Sequence, residues 1–325
     1  MTYYVEDINE ITLDVFTIGY SEKGESQVIL LYDNVKDQVL FSFVIDCYST
    51  ATLHKTKDIL DYYKISNIDY FIWTHTDEDH SVGIDILVDN YCSAKTNFYL
   101  PEGIDGTELD IFSYNQDVKN CFEKINSLNK QQNYNVHTLT LPVDGNLEIV
   151  RRIIKEEKTT KQFNFQVFCI APLSAIIKRR KQAKIAGATH VNANDFSIAT
   201  VFKVGELSLL FSGDIENQTI NLIPDYHFEG LSYVKTPHHT SNTSTKLLDK
   251  IEKSFDGTKI PTAVTTTYKA FNLPKSELIE DYRQFVTSFN STGRGPMGYG
   301  YVKTVFNIIK KEFTEELVGD ATKHF

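Results

Sequence analysis

Cysteine is scarce in this chain and never closely paired. Cys47, Cys92, Cys121 and Cys169 are the only four, and no two form a CxxC. That spacing excludes a disulfide framework or a zinc ribbon and suits free thiols in a reducing compartment. Proline (8) and glycine (16) are too few and too scattered among 325 residues to form a linker. No domain boundary is marked, and one domain spanning 1–325 is expected. No stretch reaches the roughly 18 consecutive apolar residues of a membrane-crossing helix. The opening Met1-Thr-Tyr-Tyr-Val-Glu-Asp7 offers neither the basic nor the apolar region of a secretory leader. A cytoplasmic protein without membrane association is the expectation. Positive charge is also in deficit, with 33 Lys and Arg against 43 Asp and Glu, net −10. Such a balance argues against coating nucleic acid through the overall field. Two local exceptions stand out, Lys178-Arg-Arg-Lys181 with Lys184, and Arg151-Arg152. Each reads either as a solvated face or as a rim that grips phosphate.

Apolar residues (41%) and aromatics (12%) are ample for a core. Strands are expected at Ile11–Ile18, Gln27–Asp33, Gln38–Ile45, Phe163–Ile170, Ser197–Val204, Leu207–Phe211 and Ser232–Thr236, with Tyr301–Ile308 as the last. Helical periodicity covers Thr52–Lys64, Asp117–Leu128, Thr243–Lys253 and Lys275–Thr287. The alternation predicts an α/β protein of packed sheets with outer helices. Residues 151–195 are the least periodic and are expected to be an insertion or lid.

The most informative run is His75-Thr-Asp77-Glu-Asp79-His80. It comes after a β-branched and aromatic strand, Ile68-Asp-Tyr-Phe-Ile-Trp-Thr74, and precedes the helix-like Ser81-Val-Gly-Ile-Asp-Ile-Leu-Val88. His75, Asp77, Asp79 and His80 are thus carried on one loop at a strand's carboxyl end, where they can converge. Imidazole suits zinc and other first-row ions, and carboxylates bring in manganese and magnesium. Two later elements supply what such a site lacks. Leu207-Ser-Leu-Leu-Phe-Ser-Gly-Asp214 is a strand ending in a glycine turn, and its aspartate could bridge two ions or merely cap a helix. Tyr233-Val-Lys-Thr-Pro-His-His239 ends in two histidines. Adjacent side chains diverge, so one of His238 and His239 is a ligand and the other positions substrate or donates a proton. The next residues, Ser241-Asn-Thr-Ser244, read as phosphate donors or as a helix cap. The inventory fits two divalent metal ions. A divalent cation lowers the pKa of bound water to about 7, and a second ion can share the resulting hydroxide and stabilise a leaving oxygen. Phosphodiesters suit that clamp. Asp77 in place of a histidine tilts its subsite from zinc towards manganese or magnesium. Asp79 can both ligate and orient the nucleophile.

The order HxDxDH, SGD and PHHTS at these spacings resembles the metallo-β-lactamase fold, and more closely the stand-alone relatives of the metal-hydrolase domain of ComEC, the DNA-uptake protein. Phe43-Val-Ile-Asp46 matches that group's VIDxG, with Cys47 and Tyr48 where small residues are usual. Asn194-Asp-Phe-Ser197 matches its NxxS, and Lys235 through Ser244 its KxxHHGSxxS, with Thr240 replacing glycine. The resemblance covers about residues 11 to 310. It implies a four-layer αββα sandwich, with His75 and Asp77 on one metal, Asp79 and His80 on the other, and Asp214 between them. His238 or His239 would complete the second site, and Asp79, His238 and His239 would be the catalytic set. A histidine between the loop and Asp214 is missing, with His190 the one candidate. Asn272-Leu-Pro274 replaces a usual GHP. The activity so implied is that of a metal-dependent phosphodiesterase, most directly a nuclease acting on DNA, in company with any protein partner encoded nearby. The alternatives are a small-molecule hydrolase of a phosphoester, lactone or thioester, and a non-catalytic subunit.

Overall fold

The computed structural model describes residues 1–102, 116–130, 135–188 and 192–325. Two sheets dominate it. One runs Glu312–Gly319, Tyr299–Asn307, Ile11–Tyr20, Glu25–Asp33, Gln38–Ile45, Tyr70–Ile72, Asn97–Pro101, Asn135–Leu139. The other runs Thr2–Val5, Leu147–Glu156, Gln162–Ala171, Ala199–Val204, Leu207–Phe211, Tyr233–Lys235, Ile260–Thr265, Val286–Ser291, Thr322–Lys323. The sheets face each other across a core rich in phenylalanine. Phe41 meets Phe165 edge-on at 4.7 Å between ring centres, Phe43 meets Phe202 at 5.0 Å, and Phe202 meets Phe211 at 4.9 Å. Such edge-to-face packing suits the ring quadrupoles.

Each sheet carries helices on its outer face. Lys55–Tyr62, Ile84–Tyr91 and Gln116–Lys130 bury Ile59, Leu60, Ile84, Leu87, Phe122 and Ile125 against the first. Asn217–Leu222, Lys246–Ser254 and Ser276–Tyr282 bury Ile220, Leu247, Ile251, Ile279 and Tyr282 against the second. The result is an αββα four-layer sandwich. Its two halves exchange strands. Thr2–Val5 leaves the first half to pair in parallel with Leu147–Glu156 in the far sheet. Tyr299–Asn307 comes back from the second half to pair with Ile11–Tyr20.

Several expectations need correction. Residues 151–195 do not begin as a lid: Leu147–Glu156 and Gln162–Ala171 are paired strands within the second sheet, and Ser174–Ile185 is a helix beside it. The late helix stops at Tyr282, and the chain then enters the strand Val286–Ser291. Tyr299–Asn307 is not the last strand, because Glu312–Gly319 and Thr322–Lys323 come after it. Trp73 is buried against Phe122 and donates its indole N–H to Ser81, so it serves the core. All four cysteines are free thiols, and no helix among the described residues is long and apolar enough to cross a membrane.

Candidate metal centre

Parallel pairing sets the site's place. Gln38–Ile45 and Tyr70–Ile72 run parallel in one sheet, as do Leu207–Phe211, Tyr233–Lys235 and Ile260–Thr265 in the other. The residues just past their carboxyl ends are Asp46, the His75 loop, Asp214, His239 and Thr266, and these meet at one edge of the sandwich. Main-chain bonds tie the loops across the gap, with Ile198 N–H on Thr74 O at 3.0 Å and Cys47 N–H on His80 O at 3.1 Å.

Asp77 begins the single helical turn Glu78–Ser81, which carries Asp79 and His80. Its own side chain makes no capping bond, which leaves the carboxylate free. At the next loop, a Cβ on Gly213 would meet Ser197 Oγ at 2.5 Å and Ile198 O at 2.8 Å, and its φ is +50°. Only glycine fits there. Ser197 Oγ accepts the Asp214 N–H at 3.0 Å, which accounts for the NxxS element. Asp214 is not a helix cap, because Glu216 holds that position for Asn217–Leu222.

His238, His239 and Thr240 all have positive φ (47°, 52°, 59°). Three such residues in succession, none glycine, are costly and persist only when their surroundings hold them. Threonine hydroxyls do so here: Thr240 Oγ1 bonds Thr265 Oγ1 and Thr236 Oγ1, each at 2.8 Å. The turn sends the two histidines apart. His239 is fully buried, with Nε2 3.2 Å from Asp79 Oδ2 and 3.6 Å from Asp214 Oδ2. His238 turns away, its Nδ1 2.8 Å from Thr243 Oγ1 and 3.2 Å from Glu216 Oε1, and its Nε2 3.4 Å from Asn194 Nδ2. Of the two histidines, the structure brings His239 to the cluster and places His238 at its border.

The placement of ring protons suits the site to a cation. His80 Nδ1 is 2.8 Å from Asp46 Oδ2, a carboxylate that can only accept, so the ring proton sits on Nδ1. His75 Nδ1 lies 3.0 Å from Thr74 Oγ1, whose own proton goes to Asp46 Oδ2 at 2.6 Å. In both rings Nε2 is therefore the nitrogen turned towards the cluster. The Nε2 atoms of His75 and His80 and Oδ1 of Asp214 are buried polar atoms without a hydrogen-bond partner. Buried polar atoms left unmatched are costly, and a divalent ion would satisfy them. His80 Nε2 lies 3.4 Å from Asp214 Oδ2 and 3.7 Å from Asp79 Oδ2. Asp79, His80, Asp214 and His239 thus form a buried donor set of two imidazoles and two carboxylates. His75 and Asp77, 3.6 Å apart, offer a second set, more open because the Asp77 side chain is 50% exposed.

The electrostatics are consistent with a cation hole. Burial works against charge on His80, yet Asp214, Glu25 and Asp79 outweigh it and raise its pKa well above the usual histidine range. Burial pushes the Asp214 carboxyl up, but His80, His239 and Lys235 hold it well below the usual carboxylate range. Burial likewise opposes charge on Asp79, and His80 with His239 more than offset it. In the protein without metal, a protonated imidazole takes the cation's part.

Two groups went unseen in the sequence. Glu25 is fully buried, and its Oε1 lies 2.5 Å from Lys235 Nζ. Glu25 also joins His80, Asp214 and His239 in one compact group of potential ligands. Tyr268 stands edge-on to His239 at 5.4 Å. Neither lies in a recognisable motif. Of the other candidates, His190 lies outside the described residues. Tyr48 fits where a small residue was expected because Gly24 makes room: a Cβ on Gly24 would lie 2.1 Å from the Tyr48 ring. Asn272 accepts from Arg294 at 3.2 Å. Arg180 pairs with Asp195 at 2.5 Å, next to Asn194, while Arg151 pairs with Glu148, so only the first basic cluster adjoins the site. Ser241 Oγ accepts from Thr243 N–H as a cap.

No family model matches the chain, and no curated protein matches it. Among solved structures, a diphosphatase of the PhnP family is similar at 12% identity over 91% of this chain and 98% of its own, with a TM-score of 0.41. A protein from Parabacteroides distasonis assigned as a metal-dependent hydrolase is similar at 10% identity over 82% of this chain and 92% of its own, with a TM-score of 0.36. The layer order is that of an αββα sandwich, with the candidate metal centre at its strand ends.

Proposed function

We propose that the chain is a metal-dependent hydrolase of phosphoesters, with a phosphodiester, and DNA foremost, as substrate. One observation carries the metal part: the buried Nε2 of His80, whose ring is oriented by the Nδ1 bond to Asp46, has no hydrogen-bond partner and faces the buried carboxylates of Asp79 and Asp214. Asp79, His80, Asp214 and His239 would hold one divalent ion, and His75 and Asp77, with Asp214 between, a second. Zinc and manganese fit these donors, and magnesium fits the Asp77 side. Such ions supply hydroxide from water near neutral pH and positive charge for phosphoryl oxygens.

The protein's own groups do the rest. Asp79 orients the nucleophile, and His238, backed by Glu216, faces the border of the site where a leaving oxygen departs. Glu216 and Asp214 outweigh burial and raise the His238 pKa, which favours the protonated ring as a donor. DNA as substrate is supported by the motif order shared with ComEC-like hydrolases and by the basic helix Ser174–Ile185 beside Asp195. The net charge of −10 favours the second reading, a smaller phosphoester. A partner protein could supply the positive surface that this chain lacks.

The test is metal content together with cleavage of single- and double-stranded DNA and of a chromogenic phosphodiester, with Mn²⁺, Mg²⁺ and Zn²⁺ added in turn. DNA cleavage that Asp79→Ala abolishes supports the nuclease reading. Cleavage of the small diester alone moves the assignment to the second reading. A wild-type protein that retains no metal refutes both.

A further inference from the structure

We propose that Glu25, acting through the Thr266 hydroxyl, pins the ring proton of His239 on Nδ1 and so presents Nε2 to the metal. This rests on the metal-centre reading above and adds two positioning residues to it.

Each hydrogen bond in this series fixes the direction of the next. Glu25, Thr266, Lys235 and His239 are all fully buried, so water cannot complete their bonding. Glu25 begins the strand Glu25–Asp33 in the first sheet, while Thr266 and Lys235 sit at the ends of strands in the second. Glu25 Oε1 receives Lys235 Nζ at 2.5 Å and Gln27 Nε2 at 3.1 Å. The ammonium keeps the carboxylate ionised, and an ionised carboxylate has no proton to give. Its Oε2 lies 2.6 Å from Thr266 Oγ1, so the threonine must donate there. A hydroxyl has one proton. Towards His239 Nδ1, 2.7 Å away, Thr266 Oγ1 can therefore only accept, and that nitrogen must carry the hydrogen. Nε2 is then the nitrogen left to a metal ion, which would displace the proton it shares with Asp79 Oδ2 at 3.2 Å, and it also faces Asp214. Asp46 and Thr74 hold His75 by the same carboxylate–threonine–imidazole relay. The two relays come from different strands and meet at one centre. Glu25 also reaches the bridging carboxylate, because Lys235 Nζ lies 3.6 Å from Asp214 Oδ1 and 3.3 Å from Gly213 O.

Thr266→Val keeps the side-chain shape and removes the relay, and Thr266→Ser keeps the hydroxyl. Zinc affinity is measured by chelator competition, with circular dichroism as the check on folding. Loss of a residue that orients a ligand typically weakens metal binding by about 10–100-fold. That weakening is expected for Thr266→Val, with wild-type affinity in Thr266→Ser. The ¹⁵N-coupled Nδ1 proton of His239 should be visible in the zinc forms of wild type and Thr266→Ser, and lost in Thr266→Val. If folded Thr266→Val binds zinc as tightly as wild type, the relay is refuted while the metal centre stands. A wild type that binds no zinc refutes the centre itself. Should Thr266→Val fail to fold, the double variant Glu25→Leu/Lys235→Met decides, since it removes both buried charges and the acceptor for Thr266 together. Weak zinc binding by that folded protein supports the relay, and wild-type binding overturns it.

Discussion

Single residues carry most of what is distinctive about this site. Lys235 is the clearest case, since its ammonium is buried between Glu25 and Asp214. Lys235→Met would leave Glu25 ionised in a dry pocket without a cation. Breaking a buried pair from one side costs about 3–5 kcal/mol, whereas removing both partners is often near neutral. Urea unfolding of the metal-free protein should show that loss in Lys235→Met and recover most of it in Glu25→Gln/Lys235→Met. His227 offers a pH test away from the site. Burial, with Lys203 nearby, lowers its pKa from 6.5 to about 4. The unfolded chain therefore binds this proton where the folded one does not. Its contribution is complete above about pH 6.5 and is lost as pH falls towards about 4. The stability drop between pH 7 and pH 5 should shrink in His227→Phe; an equal drop would assign the acid sensitivity elsewhere. The residues legible in the sequence were those with neighbours of their own kind. His75, Asp77, Asp79 and His80 crowd one loop, and Asp214 and His239 end recognisable strands. Glu25 and Thr266 are 241 positions apart, and only folding makes them neighbours.

At the scale of elements, the left-handed turn at His238–Thr240 decides which histidine enters the centre. Thr240 holds a positive φ that suits glycine better, and its hydroxyl bonds offset the backbone strain. Thr240→Val keeps the strain and loses both bonds, which at about 1 kcal/mol each, plus buried groups left unmatched, predicts a loss of about 2–3 kcal/mol. Thr240→Gly relieves the strain while losing the same bonds, and should stay within about 1 kcal/mol of wild type. Thermal unfolding of the two variants separates these effects. Elements were legible where burial imposes a pattern: Gln38–Ile45 and Leu207–Phe211 fall where periodicity puts them. The edges were not. Glu312–Gly319, EFTEELVG, has no buried residue and pairs with one neighbour only, so charge rather than alternation fills it. Leu147–Glu156 carries Arg151 and Arg152 on opposite faces and lacks a strand's clean alternation of buried and exposed residues.

At the scale of the whole molecule, the exchange of strands is the feature with most consequence. Removing residues 1–7 would strip Thr2–Val5 from Leu147–Glu156 and bare a sheet edge. A lower melting temperature and concentration-dependent self-association are expected, both measurable by light scattering during a thermal ramp. The other exchanged element acts in time rather than in space. Ile11–Tyr20 leaves a ribosome well before its neighbour Tyr299–Asn307. At roughly 5–20 residues per second, the roughly 280 residues between them take on the order of 15 to 60 seconds to synthesise. Throughout that interval the nascent first sheet has an unpaired flank, which makes the growing chain a client for chaperones before it is a protein with a site.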